Sequence, residues 1–378
     1  MLELRKKLSR YQEIFYLLFL LPMTGMVSMG LNSEDRIYLY VFAAATLFLV
    51  LKMAVTDYNL REFVVIAVLT LVFGAIFLRN GEKTLLLTLM TIFGAKNVNL
   101  DKALKYALWE KAIFTVGTLT LAATGVIENE SVWLPKNLDY LELHCYGYYQ
   151  PNTAFANIFV VLLLIILVYR ERLKWYSYLI GCFIMFGAYE VFLCRTGLLV
   201  WVLLCLMVLC YVVAKHFHVE KIYGYLFTAI PAVLTVLTLV LPLIAQKSEA
   251  FNQWINLMLT GRINQINSIY DRLWNLVPGQ AGRASFDSMY VTALYNYGWI
   301  LFLFVLAIYI VGMWYCNKKG QYYAVMGLGI MAVYGYMELF PLSALWNLPL
   351  LYLSQILFQG KIVSCLLYTS DAADELDG

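Results

Sequence analysis

Charged side chains are scarce in this sequence. Asp, Glu, Lys and Arg make up 13% of its 378 residues, whereas hydrophobic residues make up 62%. The mean hydropathy of +0.73 lies far above that of soluble domains. Because the formal net charge is only +3 and the basic residues cluster in short loops, the composition gives no support to nucleic-acid binding. It predicts instead a polytopic membrane protein.

Several motifs that carry chemistry are also missing. The sequence has three histidines and no Cys-x-x-Cys or Cys/His spacing, so we expect no metal site. It lacks Gly-x-Ser-x-Gly, His-Glu-x-x-His, Walker A and C-terminal prenylation motifs, which argues against the common intramembrane hydrolases and nucleotide-driven transporters. The predicted spans contain no aspartate, which argues against proton-coupled transport as well.

Apolar runs of about twenty residues recur along the chain, and such a run is long enough to cross a bilayer as a helix. We predict an all-α protein with about twelve transmembrane helices in a single domain at 1–361. The predicted spans are 14–31, 37–55, 63–78, 84–95, 106–127, 153–169, 176–194, 197–214, 222–245, 290–316, 322–338 and 342–358. A basic flank before the first span, with no cleavage site after it, predicts a cytoplasmic N-terminus.

The longest polar segment lies at 246–289. Lysines and arginines are about twice as frequent in the loops on the side of the membrane where the N-terminus lies as in the loops on the other side. The long polar segment lies on that other side, so it is predicted to be extracytoplasmic. Within it, Ile263, Ile266, Ile269 and Leu273 recur at steps of three or four while polar residues fill the opposite face. That period predicts an amphipathic helix lying at the membrane surface. A surface connector without chemistry would show the same pattern, so both interpretations stay open.

Four arginines are predicted on the outer side in positions that suit an anion. Arg262, Arg272 and Arg283 lie in the long loop, and Arg195 lies in a turn with almost no loop between two spans. Guanidinium groups pair phosphate oxygens bidentately, which favours an anion site. Arg195 could instead extend into the lipid headgroups, and arginines also occur in ordinary loops.

Other outer residues are candidates for contact with a substrate. Glu338 ends a predicted span at the outer face, where it could pair with an arginine or act as a general base. Asn152 ends a second outer segment, 128–152, and could cap the next helix. His144 in that segment is the only histidine predicted outside, and one histidine makes a poor metal site.

The last residues differ in character from the rest of the chain. Residues 365–378, which begin Cys-Leu-Leu-Tyr-Thr-Ser-Asp-Ala-Ala-Asp-Glu, look like the translated read-through of a transposase-type sequencing adapter. We therefore leave this tail out of the fold prediction, and we expect the natural C-terminus to be missing.

Short motifs follow one another in a characteristic order between residues 106 and 358. They are Gly-Tyr-Tyr-Gln-Pro-Asn-Thr-Ala-Phe at 147–155, Arg-Thr-Gly at 195–197, Thr-Gly-Arg at 260–262, Asp-Ser-Met-Tyr at 287–290 followed by Gly298, and then Glu338 and Asn347 in the last two predicted spans. This order resembles the Wzy-type polysaccharide polymerases of the O-antigen ligase-like superfamily. The sequence departs from the family's pattern at Gln150, where members often have His.

The resemblance implies an integral-membrane glycosyltransferase of the GT-C type in the bacterial cytoplasmic membrane. Such an enzyme joins oligosaccharide repeat units carried on undecaprenyl pyrophosphate into a cell-surface polysaccharide, an O-antigen, exopolysaccharide or capsule, on the outer face of the membrane. The family implies no metal and no cofactor. Its expected partners are the lipid-linked oligosaccharides and membrane lipid, with a flippase and a chain-length regulator as further candidates.

This implied chemistry suits the outer polar residues. Without a metal, a pyrophosphate leaving group needs fixed positive charge, so Arg195 and Arg262 are the expected ligands, with Arg283 or Arg272 as a third. Asp287 or Glu338 would orient or deprotonate the acceptor hydroxyl. A ligase that uses the same lipid carrier would share this arrangement. A flippase for lipid-linked sugar would instead favour internal repeats, and none is evident.

Overall fold

The computed structural model describes residues 8–32, 34–136, 139–259, 261–278 and 284–358. Within these ranges the protein is helical except for one two-stranded hairpin. The elements are α1 (Gln12–Ser28), α2 (Arg36–Val55), α3 (Leu60–Asn80), α4 (Thr84–Gly94), α5 (Leu100–Ala123), β1 (Ser131–Lys136), β2 (Asp139–His144), α6 (Pro151–Tyr169), α7 (Trp175–Phe192), α8 (Arg195–His216), α9 (Glu220–Thr228), α10 (Ile230–Gln246), α11 (Glu249–Met258), α12 (Arg262–Ile269), α13 (Met289–Lys318), α14 (Tyr322–Met337) and α15 (Ser354–Leu357).

The described residues contain seven helical segments that are long and apolar enough to cross a membrane. They are α2, α3, α6, α7, α8, α9 together with α10, and α13. The predicted all-α class is therefore confirmed, and by length and composition these seven segments suit a membrane-embedded protein. The predicted number of about twelve spans stays an expectation, and the adapter-like tail at 365–378 lies outside the described residues.

The last predicted span, 342–358, is not one straight helix. A 3₁₀ turn at Phe340–Leu342 is followed by a 3₁₀ helix at Leu348–Leu353 and by the four residues of α15. Proline lacks a backbone N–H and clashes with the preceding turn of a helix. Pro341 and Pro349 therefore break this apolar run into short pieces, although its hydropathy alone predicts a span.

Helix α14 lies at the centre of the bundle. It is apolar on all sides, and every residue at 324–332 is buried, as expected for a helix without a polar face. Its Tyr334 ring meets the Phe159 ring of α6 edge-on, with 5.0 Å between the centroids. Helices α3 and α7, in contrast, leave most of their apolar surface uncovered by protein. A buried helix surrounded by lipid-facing helices is the layering that a membrane domain requires.

The loops gather at two opposite ends of the bundle. At one end, Lys52 Nζ donates to the carbonyl of Lys96 over 2.6 Å, and Asn317 Nδ2 donates to the carbonyl of Lys221 over 3.2 Å. We call it the basic end, because the lysine-rich and arginine-rich loops meet there. At the other, the loop end, Tyr148 Oη donates to the carbonyl of Ser28 over 2.7 Å. The loop end also holds the long polar segment.

The amphipathic helix predicted in the long loop is present. Ile263 and Ile266 on α12 are buried, and Asn264 and Gln265 are exposed. After α12 the chain continues as a 3₁₀ helix at Tyr270–Trp274. The apolar face packs on the neighbouring helices α10 and α13 of the same chain, so the pattern reflects docking onto protein.

The end of the long loop is attached to α13 at a glycine. The amides of Trp299 and Ile300 donate to the carbonyls of Asn275 and Leu276 over 3.0 and 3.1 Å. Gly298, the residue before Trp299, has φ 71° and ψ 170°, and a Cβ there would lie 2.5 Å from the carbonyl carbon of Val277. Only glycine combines this backbone conformation with so close an approach.

The outer segment at 128–152 contains a hairpin that the sequence analysis did not predict. Strand β1 pairs antiparallel with β2, with Ser131 opposite His144 and Val132 opposite Leu143. Apolar and polar residues alternate only over Leu141–His144 at the end of β2, so the period of a β-strand is weak here. The segment is too short and too aromatic for that period to stand out against the neighbouring spans.

Candidate functional site

A polar cavity of about 270 Å³ opens at the loop end of the bundle. Its polar lining comes from the start of α6, from the segment before α13 and from the turn after α14. These side chains are Gln150, Asn152, Thr153, Ser285, Asp287 and Glu338. Four aromatic side chains complete the wall: Tyr149, Phe286, Phe340 and Trp346. A cavity that combines polar groups with aromatic rings can bind a polar ligand that has apolar faces.

The start of α6 presents Asn152 to the cavity. Gln150 precedes the helix in an extended conformation, and Pro151 is the first helical residue, where its fixed φ and missing N–H suit it. The predicted capping role of Asn152 is therefore wrong, because Asn152 already lies inside the first turn. Its Oδ1 accepts no hydrogen bond from the described residues. The side chain is thus available to a ligand in the cavity.

Three charged residues predicted to act at the site lie together beside the cavity. Arg262 Nη2 lies 3.3 Å from Glu338 Oε1, and Arg262 Nε lies 3.7 Å from Asp287 Oδ2. The side chain of Arg262 is 10% exposed, whereas those of Glu338 and Asp287 are 17% and 47% exposed. A largely buried guanidinium between two carboxylates has a strongly restricted geometry.

Arg262 also ties the long loop to the end of α14. Its Nε donates to the carbonyl of Met337 over 2.9 Å, and its Nη1 donates to the carbonyl of Leu259 over 3.2 Å. Gly261 precedes α12 with φ 78°, a conformation that glycine adopts without strain. The guanidinium therefore lies behind the two carboxylates that face the cavity and fixes their positions.

The two carboxylates differ in their surroundings. Glu338 accepts directly from Arg262, while Asp287 lies farther from Arg262 and accepts from Gln265 Nε2 over 3.3 Å. Asp287, with the weaker ionic contact and the greater exposure, is the better placed of the two to accept a proton from a ligand.

Arg195 is the first residue of α8 and is exposed. The predicted tight turn is present, since α7 ends at Phe192 and α8 begins at Arg195. Gly197 then allows α8 to pack closely on the bundle, because a Cβ there would lie 2.2 Å from the Phe155 ring and 2.9 Å from Tyr334 Oη. Tyr334 in turn interacts with Arg262 and Glu338. The start of α8 is therefore a neighbour of the arginine–carboxylate cluster, although Arg195 does not line the cavity.

The remaining predicted residues are not gathered at the cavity. Arg272 is exposed in the 3₁₀ helix after α12, and His144 is exposed at the end of β2 with its ring 6.2 Å from that of Tyr146. Neither lines the cavity. Arg283 lies outside the described residues. Among the residues that the structure describes, no group of His, Cys, Asp and Glu is arranged to hold a metal ion.

A buried lysine beneath the cavity was missed by the sequence analysis. Lys111 on α5 is fully buried. Its Nζ lies 5.3 Å from the centroid of the Trp346 ring and donates to Ser28 Oγ over 3.1 Å. The neighbouring Glu110 accepts from Thr24 Oγ1 over 2.9 Å. The signal was visible, because two adjacent charged residues inside the predicted span 106–127 need partners.

An apolar groove adjoins the polar cavity. It has a volume of about 90 Å³ and is lined almost entirely by apolar atoms of α3, α4, α13 and the broken segment after α14. Met289 and Pro341 line its upper end, and they lie two and three residues from Asp287 and Glu338 in the sequence. Phe340 of the cavity and Pro341 of the groove are consecutive residues, so the cavity and the groove lie close together.

Comparison with known proteins places no further constraint on this site: no protein-family model, no curated protein and no solved structure matches the chain.

Proposed function

We propose that this protein is a membrane glycosyltransferase of the Wzy type. It would polymerise oligosaccharide repeat units, carried on undecaprenyl pyrophosphate, on the outer face of the bacterial cytoplasmic membrane. One observation carries the proposal most directly: a polar cavity is lined by two carboxylates that an arginine holds from behind, and an apolar groove lies close by. A substrate with a sugar–pyrophosphate head and a polyprenyl tail needs both environments side by side.

The proposed orientation follows from the distribution of charge. Basic residues concentrate at the end of the bundle opposite the cavity, where Lys52, Lys96, Arg170 and Lys221 lie in the same set of loops. Loops rich in lysine and arginine remain on the cytoplasmic side. The basic end would therefore face the cytoplasm, and the cavity would face the extracytoplasmic side.

Asp287 is the proposed general base. An acceptor sugar hydroxyl attacks the anomeric carbon of the donor chain, the bond from that carbon to the pyrophosphate oxygen breaks, and the hydroxyl proton passes to Asp287. The products are a longer chain on the acceptor's carrier and free undecaprenyl pyrophosphate. The exposure of Asp287 at the cavity wall and its longer contact to Arg262 favour it over Glu338 for this step.

Arg262 and Arg195 are the proposed sources of positive charge for the pyrophosphate. In the structure the charge of Arg262 faces two carboxylates. When Asp287 takes up the acceptor proton, one of these negative charges disappears while negative charge develops on the leaving group. Arg262 then becomes available to stabilise that charge within a site that is already organised. Arg195, at the N-terminus of α8, would add its own charge to the positive end of the helix dipole.

The aromatic wall would bind the sugars. Trp346 and Phe340 lie against each other with 5.0 Å between ring centroids, and both line the cavity. The apolar faces of sugar rings pack on aromatic rings of this kind, while Asn152 and Gln150 would bond to the hydroxyls. Such a wall tolerates different sugars, whereas the carboxylates and arginines act on groups that all lipid-linked units share.

The test is a polymerisation assay with the purified protein in liposomes that contain lipid-linked repeat units. Arg262→Ala and Asp287→Asn should leave single units, whereas Arg272→Ala and Asp271→Asn, matched changes at exposed positions of the same loop, should make normal polymer. Because removal of one partner from a buried ion pair costs about 3–5 kcal/mol, the amount of folded protein in the membrane must be equal in all samples. Normal polymer from both site variants would refute the assignment.

The same assay separates the alternatives. A ligase would transfer the glycan to an acceptor other than a second lipid-linked unit, and the identity of the product would reveal this. A flippase would move lipid-linked units across the liposome membrane without making longer chains. Either result with the unaltered protein would replace the polymerase proposal.

A further inference from the structure

A second cavity, with a mostly apolar lining and a charged rim, lies at the basic end, on the far side of the bundle from the proposed active site. It has a volume of about 480 Å³ and is bounded by the end of α6, the start of α7 and the second half of α8. We call it the basal groove and define it by Arg170, Trp175, Tyr178, Cys205, Val212 and Lys215. None of these residues contributes to the proposed reaction, so a ligand bound in the basal groove would be distinct from the proposed substrate.

The charges of the basal groove are positive. Arg170 and Lys215 are the charged residues among its described lining, and the exposed Arg172 and Lys174 follow in the same connection. Asp101 pairs with Arg170 and offsets part of this charge. Arg170, Arg172, Lys174 and Lys215 outnumber Asp101 and Glu171 in these connections, so their formal charge is positive, which favours an anion.

Arg170 is held in a fixed position at the rim of the groove. Its backbone has φ 46°, a conformation that residues other than glycine rarely adopt and that usually marks a structural or functional constraint. Its Nε donates to the carbonyl of Leu167 over 3.0 Å, and its Nη2 donates to Tyr352 Oη over 3.3 Å. A guanidinium fixed in this way loses little conformational entropy when it binds an anionic group.

The groove also has the dimensions of one leaflet. Lys215 and Cys205 mark its extent along α8, and ten residues of helix span about 15 Å. Half of the hydrocarbon core of a bilayer is also about 15 Å thick. Leu209 and Val212 between them are more than half exposed, at 58% and 55%. The charged rim lies at the end of the helix and the apolar lining runs inward, which is the layout of a lipid headgroup and its acyl chain.

Aromatic residues at the rim agree with this placement. Trp175 is 74% exposed, and Lys174 Nζ lies 6.0 Å from the Tyr176 ring. Tryptophan and tyrosine concentrate where the headgroups meet the hydrocarbon layer. The rim of the basal groove therefore lies at the level of the headgroups of the leaflet that the basic end faces.

We propose that the basal groove binds one anionic phospholipid of that leaflet, with the headgroup phosphate at Arg170 and Lys215 and an acyl chain along Leu209 and Val212. Basic pockets between helices recognise acidic headgroups in this way. The proposal depends on the membrane embedding of the protein and on the charges of the basic end. It is independent of the polymerase proposal.

The test uses the full chain purified in detergent, with phosphatidylglycerol and phosphatidylcholine as probes. Native mass spectrometry should show one phosphatidylglycerol retained in preference to phosphatidylcholine, and the thermal unfolding midpoint should rise only with the anionic lipid. Lys215→Gln should weaken phosphatidylglycerol binding about fivefold. Lys221→Gln, an exposed lysine of the same end that does not line the groove, should leave binding unchanged.

Three results would overturn the proposal. Equal binding of the two lipids would mean that only an acyl chain is recognised. Equal stabilisation by inorganic phosphate would identify a soluble anion as the ligand. Equal losses in Lys215→Gln and Lys221→Gln would mean attraction to the basic end as a whole.

A Val212→Trp variant, which fills the groove and keeps every charge, should bind neither lipid at this site, and unchanged binding would likewise count against the proposal.

Discussion

Replacement of Gly298 by alanine tests how the long loop is held over the proposed site. The backbone of Gly298, with φ 71° and ψ 170°, lies in a region that is practically closed to other residues and costs about 1–3 kcal/mol when it is enforced. The added Cβ would also lie 2.5 Å from the backbone of Val277, so one of the two segments must move. That movement would break the hydrogen bonds from Trp299 and Ile300 to the loop, each worth about 0.5–1.5 kcal/mol.

The expected total is a loss of about 2–6 kcal/mol for the docking of the loop, so the loop should be released more often than in the parent. Limited proteolysis should then cut 246–289 much faster in Gly298→Ala than in the parent, while the transmembrane helices stay protected. Gly117→Ala is the matched control, because a Cβ at this glycine inside α5 meets nothing within 4 Å. Alanine there should be neutral or stabilising by up to about 1 kcal/mol. Equal cleavage of the two variants would refute the proposed attachment at Gly298.

Further predictions concern charge and topology. Arg262→Lys should restore polymer only weakly relative to alanine, because a point charge cannot reproduce the fork that reaches two carboxylates and two carbonyls; full restoration would show that charge alone suffices. Lys111→Met should leave the protein folded but weaken the binding of lipid-linked substrate, since the indole above it loses its cation, and unchanged binding would make this lysine purely structural. An impermeant maleimide added to intact cells should label Ser285→Cys but not Lys174→Cys, and the reverse would invert the topology. Native Cys145 should remain unlabelled near neutral pH, because burial and a nearby carboxylate raise the pKa of its thiol and keep it protonated.

The parts of this fold that could be predicted are those that depend on the local pattern of apolar and polar residues. The period of α12 places Ile263 and Ile266 on the buried face, and apolar runs identify the long spans. The broken segment at 340–357 shows the limit of that reasoning. Its composition matches a span, and the outcome depends on how two prolines and the packing against α14 divide the run. The hairpin at 131–144 was hidden for a similar reason, because two short strands carry a weak signal.

The site was predictable in its residue types but not in its pairings. Outer arginines and carboxylates could be named from charge and position, yet the sequence does not show that Arg262 lies between Asp287 and Glu338, which are 25 and 76 residues away in the chain. Such contacts depend on how α12 docks against the end of α14. The position of Lys111 below Trp346 depends in the same way on the packing of α5 against the broken segment.

The charge balance of the cluster bears on how the proposed site would work. One guanidinium facing two carboxylates leaves an excess of negative charge in the ligand-free protein, which opposes the entry of a pyrophosphate group. Binding would therefore need a further cation, and Arg195 is the candidate, because the start of α8 packs near Tyr334, although Arg195 does not line the cavity. Once the acceptor's proton reaches Asp287, the cluster of Arg262, Asp287 and Glu338 is neutral, and the charge of Arg195 is no longer opposed by an excess of negative charge. The same pair of carboxylates would thus hold the arginine in place before the reaction and free its charge during it, so that strong stabilisation of the pyrophosphate arises only as the sugar–phosphate bond breaks.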